Sequence, residues 1–108
     1  MAFQNITPTK LGQAAITTGV TTLYTVPAST RTLLKEFSIS NTTGAPINVR
    51  VFLVPAAGTA YAFLYNVPVP NGNALQYNGV QVMNAGETIQ VQAASAGLTI
   101  TASGAEAI

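Results

Sequence analysis

The feature that most limits what this chain can fold into is a period-two alternation of apolar and polar residues, broken about every 8–12 residues by turn formers. Ile47–Val54 shows it most clearly. Ile47, Val49, Val51 and Leu53 share one face, and Asn48, Arg50, Phe52 and Val54 share the other. The same reading predicts Ala14–Thr18 and Val20–Val26 as strands around Gly19, with Val20, Thr22, Tyr24 and Val26 on one face. It predicts Thr32–Ser40 with Leu33, Lys35, Phe37 and Ile39 together, then Tyr61–Asn66, Thr88–Ala93 and a last strand opened by Gly97. Asn78-Gly79, between Ala74–Tyr77 and Val80–Met83, suits a type I′ hairpin turn. Pro27, the loop Asn41–Pro46, and the Pro, Asn and Gly residues around 68–72 end strands for steric reasons. No stretch carries a helical stripe. Eight or nine short strands predict an all-β, antiparallel β-sandwich of jelly-roll order, with an immunoglobulin-like order as the alternative.

The opening 13 residues hold Phe3, Ile6 and Leu11 among Gln, Asn, Thr and Pro8, with no partner strand visible in the local pattern. The expected division is an N-terminal arm over residues 1–13 and a single sandwich over 14–108. As a functional element, the arm would reach across to a neighbouring subunit, anchored by Phe3. A free tail is the plainer reading.

The residue inventory argues against catalysis. The chain has no Cys, no His and no Asp, so a nucleophilic Ser or Thr has no imidazole or aspartate to activate it. Of the three carboxylates, Glu87 falls in a turn, Glu106 near the C-terminus, and Glu36 beside Lys35 on a strand. They are not spaced as an obvious acid–base pair. Oxygen-only metal sites usually need several carboxylates, so neither a metal nor another cofactor is expected. Lys10, Arg31, Lys35 and Arg50 do not cluster, which speaks against binding a nucleic acid backbone. No apolar run is long enough for a membrane span, and neither a basic-then-apolar leader nor a membrane partner is expected. Asn5-Ile6-Thr7 and Asn41-Thr42-Thr43 match the glycan acceptor triplet, a match that comes cheaply in a Thr-rich chain.

Charged residues make up only 6% of the chain, against roughly 25% in ordinary soluble domains. With a net charge of +1, little repulsion keeps copies apart, whereas a subunit covered by neighbours needs none. Candidate interface residues are therefore Phe3, Ile6, Leu11, Phe52, Tyr61, Phe63 and Tyr65. Phe52 points away from the regular apolar face of its strand, into either a second core layer or an interface. Tyr61, Phe63 and Tyr65 form a comb that either packs one strand face into the core or offers a stacking platform to sugar or single-stranded nucleic acid.

The runs Ile6-Thr7-Pro8-Thr9-Lys10-Leu11-Gly12-Gln13 and Thr22-Leu23-Tyr24-Thr25-Val26-Pro27-Ala28 resemble a small protein recurrent in tailed bacteriophages and prophages. So do Ser40-Asn41-Thr42-Thr43, Val51-Phe52-Leu53-Val54-Pro55, Asn84-Ala85-Gly86-Glu87-Thr88-Ile89 and Ser103-Gly104. The resemblance implies a non-enzymatic virion structural protein of β-sandwich type, assembled in the bacterial host cytoplasm. Modules of this kind are similar to capsid decoration (cement) proteins, which sit on the shell, often as homotrimers, and tie neighbouring capsid proteins together. The alternative is a tail or fibre module that binds a host receptor or carbohydrate.

Overall fold

The structure, a computed structural model, describes residues 5–108. Eight strands follow one another: β1 (Ile6–Ile16), β2 (Thr21–Thr25), β3 (Arg31–Asn41), β4 (Ile47–Val54), β5 (Tyr61–Val69), β6 (Ala74–Met83), β7 (Thr88–Ala93) and β8 (Leu98–Ala107). They form two four-stranded antiparallel sheets, sheet A in the order β1-β8-β3-β6 and sheet B in the order β2-β7-β4-β5. The pairing is nested. β4 pairs with β5, β3 with β6, β2 with β7 and β1 with β8. A long antiparallel ribbon of four such pairs, wrapped so that alternate pairs fall in opposite sheets, is a jelly roll. That order excludes the immunoglobulin-like alternative.

Between the sheets, Leu34, Ile39, Leu98 and Ile100 of sheet A meet Val49, Val51, Ile89 and Val91 of sheet B in one core cluster. Each such side chain contributes about 1.5–3 kcal/mol by leaving water. At one side the layers are closed by rings. Phe37 and Tyr77 stack at 5.2 Å, and Phe63 of sheet B meets them edge-on at 6.1 and 4.9 Å.

Four expectations change, all through irregularities that local alternation does not reveal. First, β1 starts at Ile6 and pairs with β8 along its length, so residues 6–13 belong to the sandwich and are not a detached arm. Leu11, expected on that arm, is 5% exposed and part of the core. Their partner, β8, lies at the far end of the chain. Second, β1 and β3 carry bulges at Leu11 and Lys35, opposite the stretch Ala102–Gly104 of β8. One extra residue swaps the faces of a strand. Thus Leu34 and Phe37 both point inward, and Leu33 is on the outside, no longer with Phe37 and Ile39.

Third, Asn78-Gly79 is no hairpin turn. β6 runs through it as a single strand with an irregular step against β3, and neither residue has the positive φ a type I′ turn requires. Fourth, β5 continues to Val69 and contains two register shifts against β4. These break the aromatic comb. Phe63 packs on the core, while Tyr61 and Tyr65 stay exposed.

Gly104 makes the doubled bulge possible. A Cβ there would collide with the backbone carbonyl oxygen of Leu33 on β3, so the two strands approach as closely as they do because no side chain intervenes. Asn41, at the end of β3, is 2% exposed and uses its whole hydrogen-bonding capacity. Its Nδ2 donates to the carbonyls of Ala45 and Val69 at 2.8 and 2.9 Å. Its Oδ1 accepts from the Thr43 N–H at 2.9 Å and lies 2.7 Å from the Thr43 hydroxyl. With its amide enclosed in this way, the acceptor triplet at Asn41 is closed to a glycan.

Candidate functional site

The sandwich presents two outer faces, and the strand registers show what each offers. On sheet A the register aligns Pro8 with Ala105, Ala105 with Leu33, and Leu33 with Val82. These residues alternate with the inward-facing Thr32, Leu34 and Met83, so they form one apolar row across all four strands of the outer face. Ile6, two residues from Pro8 on the same face, is 64% exposed, and Val80 and Val82 of β6 are 56% and 55% exposed. Beyond the bulges the face turns polar. Lys10, Ser103, Glu36 and Asn78 form one row, and Gln13, Thr101, Ser38 and Gln76 another. Gln13 donates to the Thr101 hydroxyl at 3.3 Å and accepts from Lys10 Nζ at 3.3 Å. The outer face of sheet A thus carries the apolar row on one side of the bulges, with Arg31 at its end beside Ala107 and Ile6, and a hydrated half on the other.

On sheet B, Phe52 stands on the outer face between Arg50 and Val54, opposite Gln90 of β7 and Ala62 of β5. It is half-buried, and among the described residues no second core layer lies over it. Beside it, the Arg50 guanidinium lies 4.4 Å from the centre of the Tyr65 ring, and Arg50 Nε donates to Asn66 Oδ1 at 2.7 Å. Consecutive strand residues normally point to opposite faces. Here Tyr65 and Asn66 both reach Arg50 because Asn66 adopts a left-handed backbone (φ 54°) at a register shift of β5. Asparagine tolerates that region better than most residues.

Where the two sheets meet at one end, Tyr24 of β2 bridges to sheet A. Its hydroxyl donates to Glu106 Oε2 at 2.5 Å and, having one proton, accepts from Thr32 Oγ1 at 2.7 Å. Burial, then the hydrogen bond to Glu106, pushes the Tyr24 phenol up to about 12, and the Thr32 hydroxyl pulls the other way. Glu106 is thereby engaged between the sheets, whereas Glu36 lies on the outer face of sheet A and Glu87 in the turn before β7. No two of them make an acid–base pair. Among the described residues no group of three or more His, Cys, Asp or Glu could hold a metal ion.

Of the sequence-derived interface residues, Ile6, Phe52, Tyr61 and Tyr65 reach the surface, Leu11 and Phe63 pack inward, and Phe3 lies outside the described residues. Alternation alone missed Pro8, Leu33, Val80, Val82 and Ala105. The bulges decide which of these face outward, and the row exists only once distant strands are paired.

No protein-family model matches the chain, and no curated protein matches it. Solved structures match it in fold. The T13 particle of infectious bursal disease virus contains a chain that superposes with a TM-score of 0.55 at 12% identity, over 95% of this chain and 30% of that one. A chain of the Gx strain of the same virus gives 0.55 at 13% identity, over 96% and 33%. The VP2 subviral particle of that virus gives 0.51 at 13% identity, over 96% and 33%. At such identities the likeness is one of fold, and this chain spans about a third of the length of the chains it matches.

Proposed function

We propose that the chain is a non-enzymatic virion structural protein and, within that class, a capsid decoration protein that binds and stabilises a shell. The observation that carries this reading is the apolar row Pro8–Ala105–Leu33–Val82, flanked by Ile6 and Val80, on the outer face of sheet A. Ile6, Pro8, Val80 and Val82 are exposed, Leu33 is half-buried and Ala105 is buried among them; an apolar surface of this kind marks a contact site. It occurs here in a jelly roll whose fold is shared with chains of icosahedral virus particles and whose carboxylates form no acid–base pair. The partners in this reading are other copies of the chain, as a homotrimer, and the major capsid protein. Its place in a bacteriophage rests on the sequence resemblance alone. The mechanism is mechanical: contacts of about 800 Å² per partner, repeated over many copies, add up through multivalency.

The test is attachment to purified shells. Leu33→Glu and Val82→Glu are expected to leave the thermal transition within a few degrees of wild type while abolishing co-sedimentation with shells. Unchanged attachment, or virions that lack the chain in icosahedral stoichiometry, would defeat the proposal. Exposed Tyr61 and Tyr65 favour a second reading, a tail or fibre module for a host receptor. Tyr61→Ala and Tyr65→Ala would then reduce host adsorption.

A further inference from the structure

Next to the Arg50–Tyr65–Asn66 group, the outer face of sheet B opens into a cleft of about 220 Å³, walled by Thr18, Asn48, Arg50, Asn66 and Gln92 and backed by Ala93 and Ala94. Its walls are fixed. Gln92 Nε2 donates to the Thr18 carbonyl at 3.0 Å, the Ala94 N–H to the Asn48 carbonyl at 3.0 Å, and the Ala93 N–H to the Thr17 carbonyl at 2.9 Å. The commitments leave a definite set of groups for a ligand. Arg50 has given its Nε to Asn66 and a face to Tyr65, so both Nη ends remain. Asn66 keeps its Nδ2 donors, Gln92 keeps its Oε1 acceptor, and Asn48 is exposed with both amide functions.

Arg50 is the single charged side chain lining the cleft, and it has no carboxylate partner among the described residues. In a chain with so few charges, a guanidinium oriented by an aromatic face and an amide is a receptor for one planar anion. The surrounding amides suit hydroxyl groups, and the two alanines leave room for a ring. The volume lies below the roughly 300–1,000 Å³ of pockets for drug-sized ligands, so one ring fits and a larger ligand does not. Asn66 holds an uncommon backbone conformation, of the kind that persists where the surroundings enforce it and often marks a ligand site.

From this we infer that the cleft binds a single acidic pyranose, a uronic acid unit of a glycan. Its carboxylate lies on the Nη ends of Arg50, and its hydroxyls are read by Asn48, Asn66 and Gln92. This is a binding activity separate from the apolar face of sheet A, and its test does not involve the shell.

The experiment is an NMR titration of the full chain with methyl β-glucuronide, methyl β-glucoside and sodium acetate. The expected result is saturable shifts of the Asn48, Asn66 and Gln92 side-chain amides, with the glucuronide bound about tenfold more tightly than the glucoside. Arg50→Lys, a surface change that keeps the charge and loses the planar fork, should remove that tenfold preference. Asn66→Gly, which keeps the left-handed backbone and removes the amide, should weaken both sugars. Three results would overturn the inference: no saturable shifts, acetate or the neutral sugar bound as tightly as the glucuronide, or Arg50→Lys binding like the wild type.

Discussion

Replacing Gly104 by alanine tests the geometry of sheet A at its most constrained point. The added Cβ meets the carbonyl oxygen of Leu33, an atom of the neighbouring backbone, so no rotamer change relieves the contact. β8 and β3 must separate where Leu34 pairs with Gly104 and Glu36 with Ser103. Weakening one or two ladder hydrogen bonds there costs about 1 kcal/mol each. Displacing Leu11, whose Cδ1 would lie 3.3 Å from the new atom, adds an overpacking cost of about 1 kcal/mol. The sum is about 2–3 kcal/mol, a large fraction of the roughly 5–15 kcal/mol that holds a typical domain together.

Urea unfolding followed by circular dichroism should show a lowered midpoint with an unchanged slope. Gly44→Ala is the control, because a Cβ there meets nothing within 4 Å, and it should stay within about 0.5 kcal/mol of wild type. Leu33→Ala in the Gly104→Ala background should not restore stability, since the obstructing atom is not in the side chain. A Gly104→Ala midpoint equal to that of Gly44→Ala, or its rescue by Leu33→Ala, would refute the reasoning.

Asn41→Asp keeps the shape but turns two donated hydrogen bonds into a carboxylate facing the Ala45 and Val69 carbonyls. It should cost about 3 kcal/mol at neutral pH by chemical denaturation, and part of that loss should return as acidification protonates the new group. In the folded chain, burial and the Glu106 hydrogen bond push the Tyr24 phenol up to about 12 from its ordinary 10.0. The native state therefore keeps its proton longer than the unfolded chain does. The stability this contributes is complete below the unfolded value and is lost as pH rises through the folded one. In melts from neutral pH to pH 12, Tyr24→Phe should show a shallower alkaline fall than wild type, and equal slopes would contradict the assignment.

Much of the fold is legible in the sequence where a strand obeys its own alternation. Ile47–Val54 and Thr88–Ala93 are predicted with the bounds they have, and the breaks at Pro27 and in the loop Asn41–Pro46 punctuate the chain as read. What escapes is set by distant partners. β1 has no local signature as far back as Ile6 because its partner is the last strand. The outward turn of Leu33 depends on a bulge specified jointly by Lys35 and Gly104. The Asn78-Gly79 signal is real as backbone permissiveness, but β3 uses it for an irregular step within a strand. For the same reason, single candidates such as Ile6, Phe52 and Tyr65 can be picked from the sequence, whereas the row and the cleft around them cannot.

The nested pairing also sets the order in which the chain can come together. β4 and β5 are joined by the short segment 55–60, whereas β1 and β8 bring Ile6 beside Ala107. Once the middle pair has formed, each further pair needs only the next two connections to be closed. The entropy of joining the far ends is thereby divided into small steps. The ribbon is thus suited to zipping outward from its centre, with the β1–β8 edge of sheet A completed last. That late-closing edge carries half of the apolar row, so the contact surface is complete only when the far ends of the chain have met.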